Sequence, residues 1–166
     1  PSIQSAITAC ASAGDTVLVR PGTYHEKVDY LGKNVVLRSI AGPATTIIDA
    51  TGQMSSAVYM EGVGTGARLE GFTIRKGTGR TIEAFFGGGG VRVWSSEGKG
   101  PTIENNWIID NSGNFGGGML IRGGARVVGN RIVSNDAAFD GGGIFVIGIA
   151  GNFSTLLISE NEIFNN

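Results

Sequence analysis

Four segments of the chain repeat one pattern of apolar and polar positions. Each segment opens on an aliphatic residue and returns to an isoleucine five positions later, after a polar or glycine-containing turn. The opening residues are Leu69, Ile103, Val127 and Ile158, and the isoleucines are Ile74, Ile108, Ile132 and Ile163. Glycine clusters lead into further short alternating runs at residues 90–93, 118–121 and 143–146. Such alternation is typical of β-strands that turn one row of side chains inward and the next outward.

A repeat of this kind predicts a solenoid of stacked coils. We expect three strands per coil, with equivalent side chains of successive coils about 4.8 Å apart. The opening residues then line the inside of the second sheet, and the isoleucines line the third. The inward residues of the first sheet are Val91, Val93, Met119, Ile121, Ile144 and Val146. A single coil cannot bury this face alone, so the core depends on stacking.

Asparagines recur in the turns of the repeat. Those between the second and third strands are Asn106, Asn130 and Asn161, and those after the third strand include Asn111 and Asn135. Asparagine tolerates left-handed backbone angles, and its amide can bond the equivalent turn of the next coil. We interpret these five residues as a structural ladder, not as catalytic or glycosylated positions. The sequon at Asn152 matters only in a eukaryotic host.

Upstream of the repeats the pattern is less regular but continuous. Residues 1–10 place Ile3, Ala6, Ile7 and Cys10 on one helical face, which predicts a short N-terminal capping helix. Strands are expected at residues 16–20, 23–30, 34–39, 45–50 and 57–61, with 23–30 and 57–61 on the first sheet. Glu26 falls on an inward position, so we expect its carboxylate to accept backbone N–H groups near the cap.

One domain accounts for residues 1–166: a cap over 1–12, irregular first coils over 13–66, and regular coils over 67–166. The last repeat stops at Asn166 with no helix, proline or charged residue to cap it. We therefore expect a chain truncated at its C-terminus, or a homo-oligomer formed through the open coil or the outer face of the first sheet.

Charge and composition narrow the classes of function. The 13 basic and 14 acidic residues give a net charge of −1. This balance argues against a nucleic-acid partner, because a protein that binds nucleic acid presents a basic face to the phosphates. No apolar run reaches the ~20 residues of a membrane span. Cys10, the single cysteine, is interpreted as a packing residue. The chain does not begin with Met, so the lack of a signal peptide does not argue against the extracellular or cell-surface location that we expect.

Residues 4–7 (QSAI) and 14–28 (GDTVLVRPGTYHEKV) resemble the opening of pectate-lyase-like proteins. Residues 32–39 and 46–49 continue the likeness, as do the Asn and Gly-Gly-Gly coils, so that it covers essentially the whole chain. The resemblance implies an all-β fold, a right-handed parallel β-helix solenoid with a short N-terminal capping helix. It also implies a carbohydrate polymer as partner, since this superfamily includes polysaccharide lyases, pectin methylesterases, glycoside hydrolases and phage tailspikes.

The catalytic motifs of these enzymes are not found. Residues 23–28 are similar to a methylesterase opening, but the Gln-Asp-Thr and Asp-Phe motifs of that family are missing. A hydrolase needs paired carboxylates, and a calcium-dependent lyase needs clustered carboxylates beside a basic residue. Asp110, Asp136 and Asp140 are interpreted as isolated turn charges. The catalytic residues are therefore unassigned, and neither a metal nor a cofactor is expected, with calcium relevant only to a lyase.

The outward side of the first sheet is the candidate binding surface, flanked by insertions at residues 78–86, 95–100 and 148–154. Aromatic rings suit sugar faces, and arginines suit carboxylates. Leu120 and Phe145 are alternatively covered by the insertions or form a protein interface. His25, the only histidine, is interpreted as plain surface. The candidate substrate-binding residues are Lys27, Tyr59, Arg92, Trp94, Arg122 and Phe145.

Three functions remain open on the sequence alone. The first is a secreted or surface β-helix that binds a polysaccharide without a complete catalytic site in this chain. The second is a fragment of a lyase or hydrolase acting on uronate-containing polymers. The third is a structural module that self-associates.

Overall fold

A computed structural model describes residues 2–11, 13–79, 87–95, 100–148 and 155–166. Within these ranges the chain forms one short helix, α1 (Ile3–Ala9), and twenty short strands. The strands are β1 Ala13–Val19, β2 Gly22–Tyr24, β3 Val28–Asp29, β4 Asn34–Ser39, β5 Thr46–Asp49, β6 Val58–Glu61, β7 Arg68–Glu70, β8 Thr73–Arg75, β9 Thr78–Gly79, β10 Val91–Trp94, β11 Thr102–Glu104, β12 Trp107–Ile109, β13 Ser112–Phe115, β14 Met119–Arg122, β15 Ala125–Val128, β16 Arg131–Val133, β17 Asp136–Asp140, β18 Ile144–Ile147, β19 Leu156–Ser159 and β20 Glu162–Phe164.

The strands pair in parallel and build three long sheets and one short one. The first sheet has the order β18-β14-β10-β6-β3, the second β1-β4-β7-β11-β15-β19, and the third β2-β5-β8-β12-β16-β20. A fourth sheet has the order β17-β13-β9. In the later coils the chain visits each sheet once before it returns to the first, one strand further along. The described chain is thus all-β apart from α1, with stacked parallel sheets, and this arrangement fits a parallel β-helix.

Equivalent aliphatic residues of successive coils lie over one another, which confirms the stacking that the repeat predicted. The third-sheet stack consists of Ile48, Ile74, Ile108, Ile132 and Ile163. The second-sheet stack consists of Leu37, Leu69, Ile103, Val127 and Ile158. The first-sheet rows pair Val91 with Met119 and Ile144, and Val93 with Ile121 and Val146. The members of these stacks before the last coil are buried in one core, Ile144 is partly buried beside it, and Val146, Ile158 and Ile163 of the last coil are exposed.

Two ladders of asparagine side chains run through consecutive turns. In the first, Oδ1 of Asn106 accepts the N–H of Phe72 at 2.9 Å, and its Nδ2 donates to the carbonyl of Leu69 at 3.0 Å. Oδ1 of Asn130 accepts the N–H of Asn106 at 3.0 Å, and Oδ1 of Asn161 accepts the N–H of Asn130 at 2.8 Å. The second ladder consists of Asn111, Asn135 and Asn166. Each amide therefore ties one coil to the next.

Helix α1 covers one end of the stack. Its predicted apolar face is the one that packs on the core, with Ile3 and Ile7 buried and Ala6 and Cys10 partly buried beside them. The predicted bonding of Glu26 is also confirmed, since its carboxylate accepts the two N–H groups at the start of α1 at 2.8 and 2.9 Å. No helix in the described ranges is long and apolar enough to cross a membrane.

The single strand expected over residues 23–30 is wrong, because the chain turns a corner there. Strand β2 pairs with β5 in the third sheet, whereas β3 pairs with β6 in the first. At the corner the N–H of Glu26 donates to the carbonyl of Tyr24 at 3.0 Å, which closes a tight three-residue turn. The alternation of Tyr24, Glu26 and Val28 runs unbroken through this corner, so the pattern resembled one strand.

The expectation of three strands per coil is wrong for the later coils, which add a fourth. Strands β9, β13 and β17 follow the turn after the third sheet and pair with one another. Their residues include glycine, serine and aspartate, which are poor strand formers, so no apolar alternation marked them. This fourth sheet brings Phe115 and Phe139 close to the first-sheet face, where Phe115 contacts Phe145.

Candidate functional site

The outer face of the first sheet presents two rows of side chains. Strands β6, β10 and β14 lie in register, and their alternate residues fill the core, so the remaining side chains point outward. One row consists of Asp29, Tyr59, Arg92, Leu120 and Phe145. The other consists of Glu61, Trp94, Arg122 and Ile147.

Two guanidinium groups lie over the ring of Trp94. Cζ of Arg92, on the same strand, is 5.1 Å from the ring centroid. Cζ of Arg122, the register partner of Trp94 on the next coil, is 4.5 Å away. Both distances fall within the ~6 Å over which an aromatic face attracts a cation. The stack therefore holds an indole and two positive charges together on a half-buried surface.

The two arginines differ in their acidic neighbours. Nε of Arg92 is 2.8 Å from Oε1 of Glu61, close enough for an ion pair, although this N–H makes no hydrogen bond among the described residues. The side chain of Arg92 is only 20% exposed, against 44% for Glu61. Arg122 belongs to none of the ion pairs between described residues. Arg92 is thus held in place by Glu61, whereas Arg122 has no acidic partner among the described residues.

The structure agrees with the alternative in which Leu120 is covered and does not face solvent. Leu120 is fully buried, and a Cβ added at Gly88 would lie 2.5 Å from its Cβ, so the glycine-rich segment before β10 packs against it. Phe145 is half-buried, and its ring centroid is 4.9 Å from that of Phe115. Phe145 therefore belongs to an aromatic cluster with the fourth sheet and stands apart from the Trp94 group.

The other predicted residues lie at the α1 side of this face. Tyr59 is half-buried, and its hydroxyl accepts the N–H of Ser56 at 3.3 Å. Lys27 is exposed just before β3, whereas the register partner of Tyr59 is Asp29. His25 is exposed at the corner between β2 and β3. The structure thus brings Arg92, Trp94 and Arg122 together but leaves Lys27 and Phe145 outside that group.

The acidic residues of the described ranges form no common site. Oδ2 of Asp110 is 3.6 Å from Nζ of Lys76. Asp136 and Asp140 were expected in turns, but they lie at the two ends of strand β17. Within the described ranges, no three His, Cys, Asp or Glu residues could together hold a metal ion.

The predicted insertions fall largely on residues 80–86, 96–99 and 149–154, outside the described residues, as does Asn152.

Two acidic residues of this face were not predicted from the sequence. Glu61 is the last residue of the expected strand 57–61, Asp29 is the last but one of the expected strand 23–30, and both share the outward phase of Tyr59. Counting outward positions to the end of each strand would have found them. No protein-family model matches the chain, and no curated protein matches it.

Proposed function

We propose that this chain binds a carbohydrate polymer on the outer face of the first sheet. The fold we propose is a right-handed parallel β-helix of the pectate-lyase-like kind, and the protein works outside the cell or at its surface. The observation that carries the binding proposal is the group of Trp94 with two guanidinium groups over its ring, at 5.1 and 4.5 Å.

The chemistry of this group suits a sugar. The apolar C–H face of a pyranose stacks on an indole, and hydroxyl or carboxylate oxygens accept hydrogen bonds from a guanidinium. Arg122 makes no ion pair with another described residue, and we propose that its guanidinium donates to the oxygens of the sugar. Arg92 lies beside Glu61, which holds it against the ring.

The spacing of the face suits a polymer. Neighbouring coils place Glu61, Trp94 and Arg122 in one row, about 4.8 Å apart from coil to coil, with Tyr59 on the same strand as Glu61. A chain of sugar units lying along the stack meets Tyr59 on one coil and Trp94 and Arg122 on the next two. The free energy of binding is then shared among several shallow contacts, because a flat sheet face offers no deep pocket.

A binding experiment with matched variants tests the proposal. Calorimetry or a glycan array compares neutral and uronate-containing polysaccharides on the wild-type protein, Trp94→Ala and Arg122→Ala. We expect each substitution to weaken binding about tenfold or more, which corresponds to a loss of about 1.4 kcal/mol. The controls are Trp107→Ala on the third sheet and Arg126→Ala on the second, both exposed residues of the same types.

The controls give the experiment its meaning. Trp107→Ala and Arg126→Ala are expected to bind like wild type, because their faces lie on other sheets. Equal loss in all four variants would show a nonspecific effect, and wild-type protein that retains no polysaccharide would end the proposal.

A further inference from the structure

Strands β1 and β3 are the outermost strands of the second and first sheets at the α1 end of the stack. Each has a strand neighbour on one side only, β4 for β1 and β6 for β3. Helix α1 packs against both strands. An outermost strand carries backbone donors and acceptors that another strand can pair with, unless something covers them.

Gln4 occupies the edge of β3 in the way that a neighbouring strand would. The N–H of Asp29 donates to Oε1 of Gln4 at 2.7 Å, and Nε2 of Gln4 donates to the carbonyl of Asp29 at 3.0 Å. One primary amide thus supplies the acceptor and the donor that a paired backbone supplies in a sheet. The edge of β3 is therefore suited to strand pairing, and a side chain of α1 takes that place.

Two charged residues of the first coil hold α1 at its two ends. The carboxylate of Glu26 accepts the N–H groups of Ile3 and Gln4. Nζ of Lys33 lies 3.1, 2.8 and 2.9 Å from three carbonyl oxygens at the end of the helix, those of Ile7, Thr8 and Cys10. These charges match the helix dipole. A helix of seven residues is too short to be stable alone, so these contacts keep it folded.

We propose that the edge beneath α1 is an assembly surface for a second copy of this chain, and that α1 is the latch that keeps it closed. When Glu26 and Lys33 release the helix, both copies present the same pair of edges. A two-fold axis across the stack then gives each edge a partner and covers both apolar ends in one step. The hydrogen bonds that Gln4 makes are replaced by backbone bonds.

One residue of β1 makes this surface testable. The carbonyl of Val19 accepts the N–H of Ile40 at 3.0 Å, so the backbone of Val19 faces β4. The backbone of the adjacent Leu18 faces the opposite side, toward the edge, and its side chain is 61% exposed. Leu18→Pro removes one edge donor and spares the pairing with β4, since proline is tolerated on edge strands.

The experiment compares wild type with Glu26→Ala/Lys33→Ala. We expect hydrogen exchange of the α1 amides to become at least about tenfold faster, as the helix opens locally. Sedimentation equilibrium is expected to show a mass that rises with concentration from 17.1 kDa toward twice that value. Adding Leu18→Pro is expected to restore the 17.1 kDa species. His25→Ala, an exposed neighbour of Glu26, is the control and stays like wild type.

Three results would overturn the proposal: a double variant with exposed α1 amides that stays at 17.1 kDa at every concentration, association that survives Leu18→Pro, or equal association of wild type. If the double variant also loses exchange protection in β8 and β12, Gln4→Ala takes its place. This change removes only the two bonds to Asp29, and the same association, at higher concentration, is expected. A monomeric Gln4→Ala variant with exposed α1 amides counts against the proposal equally.

Discussion

A buried side-chain amide needs hydrogen-bond partners for its oxygen and for its nitrogen. The amide of Asn106 finds them in the coils before and after its own. It is fully buried, and its contacts join Leu69 and Phe72 in the coil before with Asn130 in the coil after. Such a side chain cannot be replaced by an apolar one of similar size, because the backbone groups that it serves remain in place. The ladder is thus a set of obligatory contacts at the scale of single residues.

Asn106→Ala is expected to lower the free energy of unfolding by about 2–4 kcal/mol, because the buried N–H of Phe72 and the carbonyl of Leu69 both lose the side chain that bonds them. Urea unfolding followed by circular dichroism measures this. Asn106→Asp keeps the acceptor but places a charge beside the carbonyl of Leu69, so its loss of stability at neutral pH is at least as large. That loss shrinks as the pH falls and the carboxyl becomes a donor. Arg126→Ala is the exposed control, and an Asn106→Ala variant as stable as this control contradicts the prediction.

The glycines before the first-sheet strands act at the scale of the element, because they let one coil approach the next. A Cβ at Gly118 would lie 2.5 Å from the carbonyl oxygen of Gly143 and 2.9 Å from Cγ2 of Ile132. Both neighbours belong to packed elements, so neither can move without disturbing a strand. The glycine cluster is therefore required for the spacing of the coils.

Gly118→Ala is expected to cost about 1–3 kcal/mol of stability, as overpacking of a close-packed region does. Gly64→Ala is the matched control, since the nearest atom to its Cβ is Oδ1 of Asn34 at an ordinary 3.5 Å. Chemical denaturation of the two variants side by side tests this. If Gly64→Ala is the more damaging change, close approach is not the reason for glycine at residue 118.

The elements differ in how far their sequence predicts them. Strands whose alternate residues fill the core, such as those carrying Ile74 and Ile108, were predicted because burial itself produces the repeat. The corner at Glu26 was not, because the same alternation continues through it. The covering of Leu120 was only one of the alternatives that the sequence left open, for a different reason. It depends on a glycine-rich segment that packs from elsewhere in the coil, and no local pattern records that contact.

The candidate site divides in the same way. The outward phase of Arg92, Trp94 and Arg122 follows from alternation alone, and so their grouping on one face could be predicted. The pairing of Arg92 with Glu61 depends on the register between β6 and β10, which strand lengths and turns determine together. A register is a property of two strands, and a single-strand pattern does not contain it.

At the scale of the whole molecule, each coil contacts only its neighbours, so a defect in the middle weakens the coils on both sides. Ile108 is fully buried between Ile74 and Ile132. Ile108→Ala is expected to cost about 2–5 kcal/mol, as a buried Ile→Ala change does. Ile40→Ala, at a side chain 56% exposed, is expected to cost less than about 0.5 kcal/mol. Amide exchange read strand by strand adds the spatial test. Protection of the amides from exchange should fall most in β8, β12 and β16 and least in β2, because a stack of coils transmits a defect through adjacent strands. An equal fall in all strands would mean that the molecule unfolds as one unit. Nearest-neighbour stacking would then not describe its stability.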